Sequence, residues 1–319
     1  MKNGRGPFLI VAAALIVTAF FITTEMENRF YYKAAYVVLQ YVVLATAWNI
    51  LGGYTGYVNF GTAGFFGIGA YTAVALIKAW KPPLYVLLVA GGTVSALLGL
   101  GIGYLTLRLK GIFFSIATLA LAVVLQMVVA NWDFVGGGAG TPVLKPRSVP
   151  FFSNYDEFLF FVMSALAVMS VSVAWLIENS WIGRGMAAIR DDEEAAECLG
   201  VPILKLKLFA TTVSGAMIGI VGAPFSYFVV YIEPTSAFHL DYAVNSLAMP
   251  MIGGTATWLG PLIGAVLVAT AQQIAIVTFS AEINLLIVGS LLVGFVVFAP
   301  DGLVGLFRKI RARTTGKAA

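Results

Sequence analysis

The chain has 319 residues, of which 60% are hydrophobic and 11% charged, and its mean hydropathy is +0.93. Soluble domains run about 45–50% apolar with about a quarter charged, so the composition places this chain outside that class and predicts an all-α, polytopic membrane protein. The net charge of +4 is scattered over segment ends rather than gathered on one patch, which argues against a nucleic-acid partner, and one cysteine with one histidine excludes disulfide frameworks and histidine zinc clusters.

Apolar segments fall, in chain order, at 8–24, 36–51, 57–77, 84–107, 111–130, 158–177, 208–232, 242–279 and 284–300. A spanning helix needs about 20 apolar residues, so these predict about 8–10 transmembrane helices, some broken at glycine-rich segments, within one membrane domain over 1–319. Segment 8–24 follows Lys2 and Arg5 and resembles a signal peptide, but no small-residue cleavage site follows it, so a retained first span is expected. Segment 242–279 is too long for one span. It is interrupted at Gly253-Gly254-Thr255-Ala256-Thr257 and again at Gly260-Pro261, which predicts two helices meeting at a bend, the first of them short.

With the amino terminus inside and ten crossings, thirteen of the nineteen lysines and arginines lie on the inner side. Arg108, Lys110, Arg184, Arg190, Lys205 and Lys207 are among them. The positive-inside rule then puts a loop at about 178–207 and a basic tail at about 301–319 in the cytoplasm, with Lys78 and Lys81 on the disfavoured side.

The stretch leading into and through the third apolar segment is rich in glycine: Gly52, Gly53, Gly56, Gly61, Gly64, Gly67 and Gly69. Each glycine weakens a helix by about 1 kcal/mol relative to alanine, so such a run needs close backbone approach or a helix break. Gly64 and Gly67 read as packing glycines. Amides facing lipid are penalised, so Asn49 and Asn59, with Thr55 and Thr62, point to a broken helix beside a water-filled path at mid-membrane. The stretch Asn49–Gly56 is echoed late in the chain by Met251–Thr257. Paired interruptions of this kind mark substrate paths in transporters. The predicted path residues are Asn49, Gly52, Gly53, Thr55, Gly56, Asn59, Thr62, Asn245, Gly253, Gly254 and Thr255. His239, beside Asp241, reads as a solvated residue of a short outer loop.

Polarity gathers in 183–200, where Arg184, Arg190, Asp191, Asp192, Glu193, Glu194 and Glu197 crowd together. Met186, Ile189, Ala196 and Leu199 are spaced for one apolar face, and Gly200 and Pro202 are stop signals. The pattern predicts a short helix able to lie in a groove of a partner protein.

The order Glu194-Ala195-Ala196 with Gly200 resembles the cytoplasmic loop by which importer-type ABC permeases dock on their ATPase. Further blocks agree in order: Asn49–Tyr71, Arg108-Leu109-Lys110-Gly111 onward to Thr118, Gly136–Gly140, Gly183–Gly200, Gly253–Pro261 and Phe298–Leu303. Over nearly its full length the chain resembles the permeases of branched-chain amino-acid ABC importers, the LivH/LivM family, and is closer to the LivM-like half. The resemblance implies a multi-pass subunit of a bacterial or archaeal cytoplasmic membrane, embedded in lipid and not itself an enzyme. Its implied partners are a second, LivH-like permease, two cytosolic ABC ATPases and an extracytoplasmic solute-binding protein. Arg184, Glu194, Ala195, Ala196 and Gly200 are the implied ATPase-docking residues. No GxxxxGK[ST] loop occurs in the chain, so no cofactor is expected here and ATP would be bound by the partners. One departure stands out: many relatives carry a serine–x–glycine–histidine run where this chain has Asn59-Phe60-Gly61-Thr62.

The implied solutes are branched-chain or related neutral and hydrophobic amino acids. Alternatives are urea, short amides, small organic or aromatic acids, or a passive small-solute channel. The spans carry the amides Gln40, Gln126, Asn245, Gln272 and Gln273 and almost no carboxylates, which argues against proton coupling.

Overall fold

The computed structural model describes residues 29–109, 111–146, 152, 154–278, 289–290, 293–294 and 302–306. The expected first span at 8–24, most of 284–300 and most of the basic tail lie outside the described residues. Helix α1 is Arg29–Thr55, α2 Thr62–Ala79, α3 Leu84–Thr106 and α4 Ile112–Ala130. Two short 3-10 turns and strand β1 (Thr141–Pro142) lead to α5 at Tyr155–Glu178. Two short helices follow, α6 at Trp181–Asp191 and α7 at Glu193–Cys198, then the long α8 at Ile203–Val229. Strand β2 (Tyr231–Ile232), α9 (Pro234–Ala237), α10 (Leu240–Gly253) and α11 (Leu259–Thr278) come next.

Seven helices (α1 to α5, α8 and α11) are long and apolar enough to cross a membrane. The 14 residues of α10 span about 21 Å, short of a hydrocarbon core of about 30 Å. Helices α10 and α11 are the expected pair with a bend between them. The second expected interruption is absent: Gly260 and Pro261 lie in the first turn of α11, where a proline lacks no hydrogen bond that the helix needs.

Helices α1 and α8 form the middle of the bundle. On α8 pack α3 and α2, while α5, α10 and α11 pack on α1 and α4 flanks α2. Small residues set the spacing of α2, α3 and α8. A Cβ at Gly69 would fall on the Gly219 carbonyl, one at Gly219 would reach within 2.6 Å of the Gly91 carbonyl, and one at Gly222 would meet Ala70 N at 2.8 Å. Backbones this close gain van der Waals contact that lipid chains would otherwise supply, which is how helices associate where no hydrophobic difference drives them. A Cβ on Gly67, read as a packing glycine, would lie 2.6 Å from the Phe238 ring, and Gly64 faces Ala122 on α4.

The strand pair β1–β2 ties the loop after α4 to the chain after α8, with Thr141 opposite Ile232. His239 is 57% exposed and caps α10 beside Asp241.

Gly219→Leu should drive α8 off α2 and α3. Overpacking typically destabilises by about 1–3 kcal/mol, more where backbone must move. The expected outcome is a clear fall in detergent-solubilised yield and in thermal unfolding midpoint. An unchanged midpoint would show that these helices do not pack as described.

Candidate functional site

Helix α1 ends where Gly56 turns to φ +78, and residues 56–61 form a loop before α2 starts at Thr62. Helix α10 ends where Gly254 takes φ +114, and a second short loop runs to Leu259. Of the glycines expected to break helices, Gly52, Gly53 and Gly253 lie inside α1 and α10, whereas Gly56 and Gly254 are where the two helices end. The breaks fall three positions beyond Gly53 and one beyond Gly253, at residues with the positive φ that only glycine adopts readily. Gly53 serves close approach instead. A Cβ there would fall on the Asn49 amide and within 2.8 Å of Thr255 O.

The two breaks meet. Asn49 donates from Nδ2 to Thr255 O at 3.1 Å, joining positions 206 residues apart. Thus Asn49, Gly53, Gly253, Gly254 and Thr255 come together. The other expected path residues do not join them. Gly52 backs onto the Trp48 ring, and the Thr55 hydroxyl bonds Leu51 O one turn back in its own helix. Asn59 organises the loop: its Oδ1 accepts from Gly61 N at 2.7 Å, and its carbonyl accepts from Trp48 Nε1 at 2.7 Å. Ser115 and Thr118 of α4 hold the same loop by bonds to Val58 O and Phe60 N. Thr62 is fully buried behind it. Asn245 sits two helical turns deeper, in a separate polar layer with Gln272 Nε2 at 2.9 Å and the Tyr41 hydroxyl at 3.4 Å.

The break after α1 lies beside α6 and α7, with Gly56 against Arg190 and Tyr57 against Glu193, and the break between α10 and α11 lies beside Glu178 at the end of α5. The expected single helix over 183–200 is two helices, because Asp192 takes an extended conformation and caps α7 with its carboxylate on Glu194 N and Ala195 N, each at 3.0 Å. Met186, Ile189 and Ala196 face inward, the last two against Leu206 of α8. Leu199, expected on that face, is 83% exposed, because Gly200 at φ +79 turns the chain beneath it.

The orphan groups at the break ends are satisfied from this segment. Arg190 of α6 donates from Nη1 to Gly53 O at 3.4 Å, placing a cation at the negative end of α1. Glu178, the last residue of α5, accepts from Trp258 N at 2.5 Å just ahead of α11, and from the Tyr54 hydroxyl at 3.5 Å. A carboxylate there suits the positive end of α11.

A third link is buried. Lys207, in the second turn of α8, is 2% exposed. Its Nζ donates to Glu193 Oε1 at 2.7 Å and to the Tyr57 hydroxyl at 2.5 Å, and it lies 3.9 Å from the centre of the Tyr57 ring. The Tyr57 hydroxyl in turn donates to Glu193 Oε2 at 2.6 Å, closing a ring of three side chains. Burial first, then the bond to and charge of Glu193, push the Tyr57 phenol well above its ordinary pKa, so it keeps the proton it donates.

Tyr57, Glu178, Arg190, Glu193 and Lys207 were not among the expected site residues. In the sequence Lys207 reads as one of the charges of the loop at 178–207, whereas α8 already begins at Ile203. One signal for it existed: Lys207, Ala210, Thr211 and Ser214 follow helical spacing and form one buried face of small residues, headed by the lysine.

The family profile described as the permease component of branched-chain amino acid transport systems matches residues 30–296. The chain belongs to this family. It is similar to the high-affinity branched-chain amino acid transport permease LivM of Salmonella typhimurium, at 28% identity over 92% of this chain and 74% of that one. The LivM of Escherichia coli is 27% identical over 89% of this chain and 72% of its own length. The autoinducer 2 import permease LsrC of Yersinia pseudotuberculosis is 26% identical over 66% of this chain and 61% of that one. The permease is therefore an ABC transporter subunit, a multi-pass protein of the cytoplasmic membrane whose family works with ATPase partners. Its relatives are transport components rather than enzymes.

Removing one member of a buried ion pair typically destabilises by about 3–5 kcal/mol, whereas replacing both by apolar residues is often neutral. Glu193→Gln should therefore lower the thermal unfolding midpoint of the purified permease markedly, and Lys207→Met with Glu193→Leu should recover most of the loss. Equal losses in single and double variants would show that Lys207 and Glu193 are not paired.

Proposed function

We propose that this permease is the LivM-like half of an importer for branched-chain or related neutral, hydrophobic amino acids. It pairs with a second, LivH-like permease, is driven by two cytosolic ATPases, and receives solute from an extracytoplasmic binding protein. One membrane domain over 1–319 carries the work, with the coupling segment at 178–207. ATP is bound and hydrolysed on the partners, so this chain needs no cofactor of its own.

The observation that carries the reading is the placing of α6 and α7. On their outer side Arg184, Glu194, Ala195 and Gly200 are exposed, together with the apolar Leu199. Ala196 is the exception among the docking residues and acts as the inward anchor of α7. On their inner side Arg190 reaches the end of α1, and Glu178 just ahead of them reaches the start of α11. A partner that shifts α6 and α7 therefore pulls on the caps of two helices whose broken ends touch at Asn49 and Thr255. Opening that contact is the transport step assigned to this half of the path.

The solute class follows from what the interior holds. Asn49, Asn245, Gln40 and Gln272 offer amides, and Thr62 offers a hydroxyl. The buried cation among the described residues, Lys207, is matched by Glu193. Such an interior suits a solute without net charge. Helix ends at the breaks supply N–H and C=O groups for a carboxylate and an ammonium.

Docking is tested at Glu194 and Gly200. Glu194→Lys reverses an exposed charge, and Gly200→Pro is incompatible with φ +79. Both should fold and insert, yet strongly reduce solute-stimulated ATP hydrolysis by the assembled complex; normal stimulation and uptake in both would sink the docking reading.

Path and solute are tested together in proteoliposomes holding the full complex. Gly53→Leu should abolish leucine uptake while the complex still assembles, whereas Gly67→Leu should reduce assembly itself. Preference of the wild type for a dianionic or polycationic solute over leucine, or for urea and short amides, would overturn the assigned substrate.

A further inference from the structure

We propose that the ring of Lys207, Glu193 and Tyr57 is the transmission element of the permease, carrying displacement of α7 into the α1–α2 break. The inference deepens the docking reading and rests on it. The three residues come from three elements: Tyr57 from the loop immediately after the Gly56 turn, Glu193 from the first position of α7, and Lys207 from α8. Glu193 is followed directly by the exposed Glu194, so the docking surface and the ring are adjacent in the chain.

The linkage is stiff. All three of its hydrogen bonds are 2.7 Å or shorter, and each involves an ionised group, which makes them stronger and more directional than neutral bonds. Tyr57 is gripped twice by Lys207, at its hydroxyl and on its ring face, where a desolvated cation–π contact is strongest. The ring of Tyr57 also stands edge-on to Phe114 of α4, at 5.3 Å and 77°, so its rotation is blocked from the other side. By contrast the Arg190 contact to Gly53 O is a single bond at 3.4 Å from a partly exposed side chain. Within α7 only Glu193 and Ala196 turn inward, and Ala196 packs on Ile189 and Leu206, not on the break. Glu193 is thus the side chain of α7 bonded to the break. Gly56, at φ +78 next to Tyr57, supplies the backbone freedom for the loop to swing against α1.

A ring that merely held α8 in place would protect stability and nothing else. A transmitting ring has a further signature, because its loss uncouples two activities that both persist. The test uses the full complex in proteoliposomes with leucine as the probe, and reads leucine taken up per ATP hydrolysed. Tyr57→Phe keeps the aromatic ring over Lys207 and removes only the hydroxyl. The double variant Lys207→Met, Glu193→Leu removes the ring without leaving a charge unpaired, and so keeps the fold. Both should assemble and hydrolyse ATP while uptake per ATP falls about ten-fold, the scale of a typical coupling between two sites. A wild-type ratio in the double variant would overturn the proposal and leave the ring a staple. A proportional fall of uptake and hydrolysis in both variants would also overturn it, placing the ring in docking. Failure of the docking reading shows elsewhere, as undiminished stimulated hydrolysis in Glu194→Lys.

Discussion

A lysine 2% exposed is the constraint on which the α6–α7 end of this bundle depends. Taking an ammonium out of water is several kcal/mol unfavourable even after relaxation, and only a well-placed counter-charge with further hydrogen bonds offsets it. Glu193 and Tyr57 meet that requirement together, and neither comes from the same element as Lys207. Once Lys207 is buried on the small-residue face of α8, α7 must fold back to bring Glu193 to it. The loop after α1 must also turn to bring in Tyr57. The positions of the short helices follow from that closure as much as from their own apolar faces.

Broken helices in a membrane protein raise a second accounting problem, since each break frees backbone groups that lipid cannot satisfy. The chain answers it by supplying the partners from outside the broken helices. Arg190 serves the end of α1, Glu178 serves the start of α11, and Asn49 serves Thr255 O across the gap. Asn59, Ser115 and Thr118 do the same for the loop leading to α2. The first two of these donors and acceptors belong to the segment running from the end of α5 into α6. Local order at the breaks is therefore conditional on where that segment sits, whereas the α2–α3–α8 packing depends on glycine contacts and is indifferent to it.

Much of this was legible in the sequence, for identifiable reasons. Span positions follow from hydropathy alone, and the bend between α10 and α11 follows from a stretch too long for one span. The pairing of two glycine-rich regions was visible as an echo, and Asn49 with Thr255 shows that they touch. Break positions were less legible, because a glycine doublet signals either close approach or a turn, and Gly52-Gly53 is the first while Gly56 is the second. The division of the docking helix depended on Asp192 choosing to cap rather than continue, a choice local propensity leaves open. Lys207 and Glu193 were hidden for a different reason. Each reads as an ordinary loop charge until the fold buries one against the other, and a 14-residue separation gives no periodic clue.

The asymmetry between these two kinds of packing bears on how the molecule can move. Contacts such as Gly219 against Gly91 and Ser95 lock backbones at a single separation, since any lengthening forfeits van der Waals contact steeply. Polar contacts at the breaks can be exchanged for water or for a solute's own groups, so their alternative state is not prohibitive. Motion should therefore concentrate where hydrogen bonds hold α1 to α10 and α11, and spare the α2–α3–α8 block. Lys207 stands at the boundary, its backbone in the locked block and its ammonium in the exchangeable network. That position lets a rigid helix serve as the fixed point against which α7 and the Tyr57 loop are displaced.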